Sequence, residues 1–195
     1  MWLEGAEERI RQCPSAVHTL FPAVGRMVGR AALYPQLDRD GLVYGSVEDR
    51  ARCQLLVVLA DSCAPARLPA MVGELYRHGD DAERRGVLRG LPLLPRSCAE
   101  TGVSLVRDAL RSNDTRLVAV AMGRFAAEHL GQHEWRHGVL KVLFMGIPVR
   151  AVAGLRTKMD AELSRMVEDF AEERRAAGRP PGADAEYLLT LGAQC

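Results

Sequence analysis

Residues 46–61 read SVEDRARCQLLVVLAD, and the pattern is that of a helix with one apolar face. Ser46 is followed three positions later by Asp49, a small polar residue and an acid that together can cap the exposed N–H groups of a first turn. Behind them Val47, Ala51, Leu55 and Val58 fall on one stripe at helical spacing, so one side is meant to be buried. The same start signal returns at Asp80 with Glu83 and at Thr157 with Asp160. Further stripes follow: Val103, Val106 and Leu110; Leu117, Ala121 and Phe125 after Asn113-Asp114; and Met159, Leu163, Met166 and Phe170 behind Thr157.

If Ser46, Asp81, Asp114 and Val149 open successive hairpins, their separations are 35, 33 and 35 residues, the range of helical repeats. The expected pairs are 46–61 with 66–77, 81–94 with 98–112, 114–129 with 133–146, and 149–155 with 158–178. The predicted fold is therefore all-α, a short right-handed solenoid of helical hairpins of the HEAT-like kind with about eight to ten helices. Repeat identity is thin, since only an acid followed by arginine recurs (Asp49-Arg50, Glu83-Arg84, Asp114 with Arg116), and an irregular bundle shares the spacing. Pro14, Pro22, Pro35, Gly41 and Gly45 break up residues 1–45, which read as short helices and a loop capping the stack. Residues 46–178 form the stack itself. Gly178, Pro180, Pro181 and Gly182 end it, leaving 179–195 as a tail in which Ala185 to Leu191 docks as a turn or two and Cys195 lies at the terminus. One domain spans 1–195.

Composition narrows the class. A hydrophobic share of 48% is too high for a disordered chain, and an aromatic share of 5% with abundant Ala, Leu and Arg favours helices over strands. The net charge of +1 provides no global field toward nucleic acid or an anionic membrane, so any such binding has to be local. Five cysteines, at 13, 53, 63, 98 and 195, never pair as Cys-x-x-Cys and read as small packing residues in a reducing compartment. Glu4, Glu7, Glu8 and Arg9 are unlike a signal peptide, and the apolar run Leu55 to Ala60 is too short for a bilayer. The expected location is the cytoplasm, without membrane insertion.

The sharpest chemical motif is His133-Glu134-Trp135-Arg136-His137, which fits H-E-x-x-H: two imidazoles one turn apart to ligate zinc and a glutamate to activate water. Gly131 and Gln132 place this motif at a helix start, where the positive end of the dipole disfavours a dication. The missing third ligand would have to be Glu162 or Glu168, on a charge-rich helix, and His129 is separated by the turn at Gly131. Surface histidines account for the pattern better than a metal site. A second candidate is a basic edge of Arg84, Arg85, Arg89, Arg107, Arg111, Arg116, Arg124 and Lys141 able to meet phosphates. Asp80, Asp81, Glu83, Asp108 and Asp114 are interleaved with it and stacking aromatics are scarce, so nucleic acid is not an expected partner. Asn113-Asp114-Thr115-Arg116 is a capping turn, and Tyr76, Trp135 and Phe144 read as core residues before pocket residues. No phosphate loop or Ser-His-Asp set is present in the sequence, and no cofactor is expected.

Several segments in succession resemble the EboA family of bacterial proteins. They are Gly79-Asp80-Asp81 with Glu83-Arg84-Arg85, Leu91-Pro92-Leu93-Leu94-Pro95, Asn113-Asp114-Thr115-Arg116, Trp135-Arg136 with Leu140-Lys141, Phe144 to Pro148, and Arg174-Arg175-Ala176-Ala177-Gly178-Arg179. The likeness begins near Tyr76, covers roughly half of the chain, and draws little from the first forty-five residues. It implies a component of a gene cluster that helps move a small-molecule precursor out of the cytoplasm, beside a membrane prenyltransferase-like protein and metal-dependent hydrolase-like proteins. His137 stands where the family resemblance implies Gln, and Glu134 where it implies a small residue, so the zinc pattern is a coincidence of this chain. The resulting expectation is a non-catalytic adaptor or carrier that binds other proteins of its cluster, and a small metabolite. Asp80, Asp81, Arg84, Asn113, Asp114, Arg116, Trp135 and Lys141 are the binding residues. His133 and His137 would be metal ligands only if the alternative, a zinc hydrolase, held.

Overall fold

The computed structural model describes residues 1–194, and Cys195, expected at the terminus, lies outside the described residues. The described residues are all-helical, 72% in helix with no strand. Their α-helices are α1 (Trp2–Gln12), α2 (Val17–Val28), α3 (Val47–Ser62), α4 (Leu68–His78), α5 (Asp81–Gly90), α6 (Ala99–Ala109), α7 (Thr115–Ala121), α8 (Arg124–His129), α9 (Gln132–Phe144), α10 (Leu155–Lys158), α11 (Ala161–Ala176) and α12 (Ala183–Gly192). They divide into two compact units, one from Met1 to Ala121 and one from Met122 onward.

In the first unit the capping signals act where the sequence placed them. Ser46 Oγ accepts from the Asp49 amide at 3.2 Å while Asp49 Oδ2 accepts from the Ser46 amide at 3.1 Å, and Asp80 Oδ1 accepts from the Glu83 amide at 2.8 Å. Helices α3, α5 and α7 begin 34 residues apart at Val47, Asp81 and Thr115, and each packs on the next. Helix α4 packs on α5 and α6, and α6 on α7. The N-terminal pair α1 and α2 also packs on α3, with Ile10, Val17, Phe21 and Val24 fully buried.

The stripe of Ala51, Leu55 and Val58 is buried as its spacing predicts and Arg50, Gln54 and Asp61 stay exposed, but the buried side of α3 extends beyond the stripe. Glu48, Asp49 and Arg52 are buried together with Leu55, Leu56 and Leu59, because α1 and α2 occupy one flank and α5 another. The second helix of the row is shorter than expected. Pro92 and Pro95 end α5 at Gly90, and 3₁₀ turns at Leu91–Leu93 and Arg96–Cys98 lead into α6.

The helix expected over 114–129 is broken at Met122-Gly123 into α7 and α8. Within the second unit, the helix expected over 149–155 is only a 3₁₀ turn at Val149–Ala151, followed by the single turn of α10. Gly154 sits between them at φ +83°, a left-handed conformation that a side chain would resist. This places Thr157 inside α10, where its hydroxyl donates to the Gly154 carbonyl at 3.2 Å, and α11 is capped by Asp160 instead. Asp160 Oδ1 accepts from the Leu163 amide at 2.9 Å. The tail forms a full helix, α12, packed on α11, instead of a turn or two. Cys63 and Cys98 are buried as packing residues, but Cys13 is exposed at the end of α1.

Candidate functional site

The H-E-x-x-H stretch occupies the first turns of α9. His133 and His137 are both exposed, with ring centroids 4.4 Å apart and edge to face. Among the described residues no group of three or more His, Cys, Asp and Glu side chains could hold a metal ion. Glu162, one of the two conceivable third ligands, is tied to Arg165 at 2.9 Å. Two of the residues between them, Trp135 and Arg136, have structural roles. Trp135 is fully buried, with Nε1 donating to the Ala153 carbonyl at 3.3 Å and the Lys158 ammonium 5.5 Å from its ring. Arg136 clamps Asp160, with Nη2 2.6 Å from Oδ2, and Gln132 Nε2 donates to the same oxygen at 2.7 Å. The bond from Arg136 outweighs burial and holds the Asp160 carboxyl down at about 2.

The polar residues expected to bind partners divide between the units. In the first, Asp80 and Asp81 stand at the start of α5, and Asn113, Asp114 and Arg116 at the start of α7, on two helices that pack together. Asp114 Oδ1 accepts from the amides of Arg116 and Leu117 at 2.8 and 2.9 Å. Arg84 donates from Nε to the Gly79 carbonyl at 3.1 Å, with its guanidinium 5.5 Å from the ring of Tyr76. The Tyr76 hydroxyl donates to Asp108 at 2.9 Å, and burial first, then that carboxylate, raises its pKa. Asp81, Asn113 and Arg116 are exposed. In the second unit Lys141 is half-buried and Trp135 lies in the core.

Two features went unread in the sequence. The first is a buried ion network between α3 and α5. Arg52 Nη1 meets Glu48 Oε2 at 3.0 Å and also donates to the Ala82 carbonyl. Arg85 reaches Glu48 Oε1 through Nη2 and Asp49 Oδ1 through Nε, both at 3.0 Å. Arg89 Nε lies 3.2 Å from Asp49 Oδ2 as an ion pair not aligned as a hydrogen bond, and its Nη atoms donate to the carbonyls of Gly41, Leu42 and Val43 at 3.1 to 3.2 Å. Arg85 and Arg89 are thus removed from the basic edge proposed for phosphates. Burial, then Asp49, pushes the neighbouring Cys53 thiol up to about 11, so it stays protonated at neutral pH. A signal for this network existed: the continuous apolar run at 55–60 leaves α3 no wide polar side, and α5 presents Gly86 and Gly90 one turn apart. A methyl group at Gly86 would collide with Arg52 Cδ, and one at Gly90 with Leu56 Cδ1.

The second is a cleft of about 320 Å³ in the second unit, lined by Phe144, Ile147, Phe170, Arg174, Gly182 and Asp184 among others. Phe144, expected in the core, is instead 64% exposed because it follows the last buried turn of α9, and its ring meets Phe170 edge-on at 5.0 Å. Arg174 Nε donates to the Pro180 carbonyl, and Asp184 Oδ2 accepts from the Val149 amide. The volume is at the lower end for small-molecule sites, and aromatic walls with one cation and one carboxylate suit a compact ligand with an apolar body and a polar end.

Comparison with known proteins bears on the chain as a whole. The family described as "Metabolite traffic protein EboA" matches residues 1–185, so the likeness noted from Tyr76 onward in fact takes in the N-terminal helices as well. The chain is also similar to the ESX-3 secretion system protein EccE3 of Mycolicibacterium smegmatis, 28% identical over 188 residues. That alignment covers 84% of this chain and only 60% of the relative's length. No solved structure matches. Among the described residues no helix is long and apolar enough to cross a membrane. With 185 of its residues matched, the chain belongs to the EboA family of metabolite traffic proteins.

Proposed function

We propose that this protein is a non-catalytic helical adaptor or carrier that passes a small-molecule precursor among proteins encoded in its own gene cluster, acting in the cytoplasm. The family match over residues 1–185 carries this reading. The cleft at Phe144 supports it with a space of suitable size for a small ligand. The likeness to a secretion system protein supports protein partners. Partner contact is assigned to Asp80, Asp81, Arg84, Asn113, Asp114 and Arg116 at the starts of α5 and α7, and to Lys141 on α9, with Trp135 supporting that helix from the core. The row of α3, α5 and α7 beside α4 and α6 supports a short right-handed HEAT-like solenoid as the scaffold.

Chemical cross-linking of tagged full-length protein in a host that carries the cluster, followed by proteomic and small-molecule analysis of the purified complex, tests the proposal. The expected result is enrichment of cluster-encoded proteins together with a small molecule absent from a mock purification. A complex containing neither would remove the adaptor reading, and turnover of the recovered molecule by the purified chain would remove the non-catalytic part.

A further inference from the structure

The segment between α2 and α3 is irregular, yet buried charge fixes it from within. The carboxylate of Asp38 accepts from the amides of Leu42, Val43 and Tyr44 at 2.8 to 3.0 Å. Arg89 holds the carbonyls of residues 41 to 43 from below, and the ends are joined by Leu33 N to Gly45 O and Val47 N to Ala31 O. A connection of this length without regular structure is uncommon unless it has a role. Its outer side carries Tyr34, Leu37 and Tyr44, with Met27 at the end of α2, all large apolar side chains left at least 45% exposed. Tyr34 and Tyr44 brace each other edge to face at 5.6 Å. Exposed apolar groups held in fixed positions mark an interaction surface.

The charges around them have one dominant sign. Beneath the segment Asp38 is taken up by three backbone amides, and Glu48 and Asp49 are matched by Arg52, Arg85 and Arg89 in the buried network. The outward charges are Arg26, Arg30 and Arg39 against Asp40, all exposed, with Arg30 only loosely approaching Glu48 at 3.9 Å. Basic side chains around tyrosines and an exposed leucine complement an anionic lipid surface. Tyrosine rings settle at headgroup level, guanidiniums meet phosphates, and an aliphatic tip reaches the acyl boundary. We infer that the segment from Met27 to Tyr44 is a peripheral docking surface for an anionic membrane. A lipid surface has no pockets to match, so charge of one sign around apolar tips is sufficient for it, whereas a protein partner would need a shaped counterpart. Its residues are other than those assigned to partner contact, and the inference goes beyond the adaptor reading.

Flotation of the full chain with vesicles of phosphatidylcholine alone, and of equal parts phosphatidylcholine and phosphatidylglycerol, tests the inference. The chain is expected to float with the mixed vesicles only, and to be released in 1 M salt, where the Debye length falls to about 3 Å. Arg39→Glu should lower the bound fraction by about fivefold or more, the worth of roughly one basic residue near such a surface. Leu37→Ala, which withdraws apolar area from the acyl boundary, should independently lower it by about fivefold or more, at about 0.8 kcal/mol per CH2 no longer buried. Arg96→Glu, an exposed arginine outside the segment, should leave binding unchanged, with circular dichroism confirming that every variant folds. Equal binding to both vesicles, or equal effects of Arg39→Glu and Arg96→Glu, overturns the inference. So does failure to float combined with a soluble protein complex that Tyr34→Ala disrupts, which would assign the surface to a protein.

Discussion

Arg85 joins the two buried carboxylates of α3, taking Glu48 with one nitrogen and Asp49 with another. Removing one partner of a buried pair strands the other charge in a poor solvent, at a cost of about 3–5 kcal/mol. Arg85→Ala is expected to destabilise the protein by that amount in urea denaturation at neutral pH. Arg85→Lys should recover only part of the loss, because an ammonium lacks the fork that serves two acceptors at once. A cost for Arg85→Ala below about 0.5 kcal/mol, the size of a neutral surface change, would show that the network contributes nothing to stability. The same network makes Gly86 intolerant of a side chain. Gly86→Ala, favourable by helix propensity alone, should instead cost about 1–3 kcal/mol because its methyl group meets Arg52 Cδ.

Among the elements, α11 starts on a titrating group with several partners. Asp160 caps its first turn and receives Arg136 and Gln132, so its folded pKa of about 2 lies below the value of about 3.9 for a free aspartate. The unfolded chain takes up this proton first as pH falls. The contribution is therefore complete above about pH 4 and is lost between there and about pH 2. Melting temperature measured across that interval should fall less steeply in Asp160→Asn than in the wild type, and Asp160→Ala should cost about 1–2 kcal/mol at neutral pH through the lost cap. An unchanged acid slope in Asp160→Asn would assign the acid sensitivity elsewhere. Caps of this kind were legible where they are local: Ser46 with Asp49 and Asp80 with Glu83 work as their spacing predicts. Thr157 was misread because the left-handed turn at Gly154 shifts the start of α11 by three residues, and nothing in the Thr157-to-Asp160 spacing reports a backbone angle upstream. The burial of Glu48, Asp49 and Arg52 was hidden for a different reason. Nothing in their local pattern reports the docking of α1, α2 and α5, which are remote in sequence and remove the solvent.

For the whole molecule, the all-helical class follows from stripes and caps that recur along the chain, whereas the cleft does not, because it gathers the end of α9, the end of α11 and the start of α12. No local pattern distinguishes Phe144, which lines it in the open, from Trp135, which fills the core nine residues earlier on the same helix. The adaptor reading assigns partner contact to the starts of α5 and α7 and to Lys141, and ligand contact to the cleft at Phe144, and that division has a measurable consequence. Arg116→Glu reverses an exposed charge at the start of α7 and should change stability by no more than about 0.5 kcal/mol, whereas Phe144→Asp replaces the exposed ring at the cleft with a carboxylate and forfeits its edge-on contact with buried Phe170, at about 0.5–1.5 kcal/mol. In the cross-linked purification, Arg116→Glu is expected to reduce recovered partner protein by about tenfold, the loss of roughly one well-placed contact, while the small molecule still accompanies the chain. Phe144→Asp should do the reverse. Simultaneous loss of both in either variant would mean that ligand and partner share one site, and the assignment of the two roles to separate residues would then be wrong.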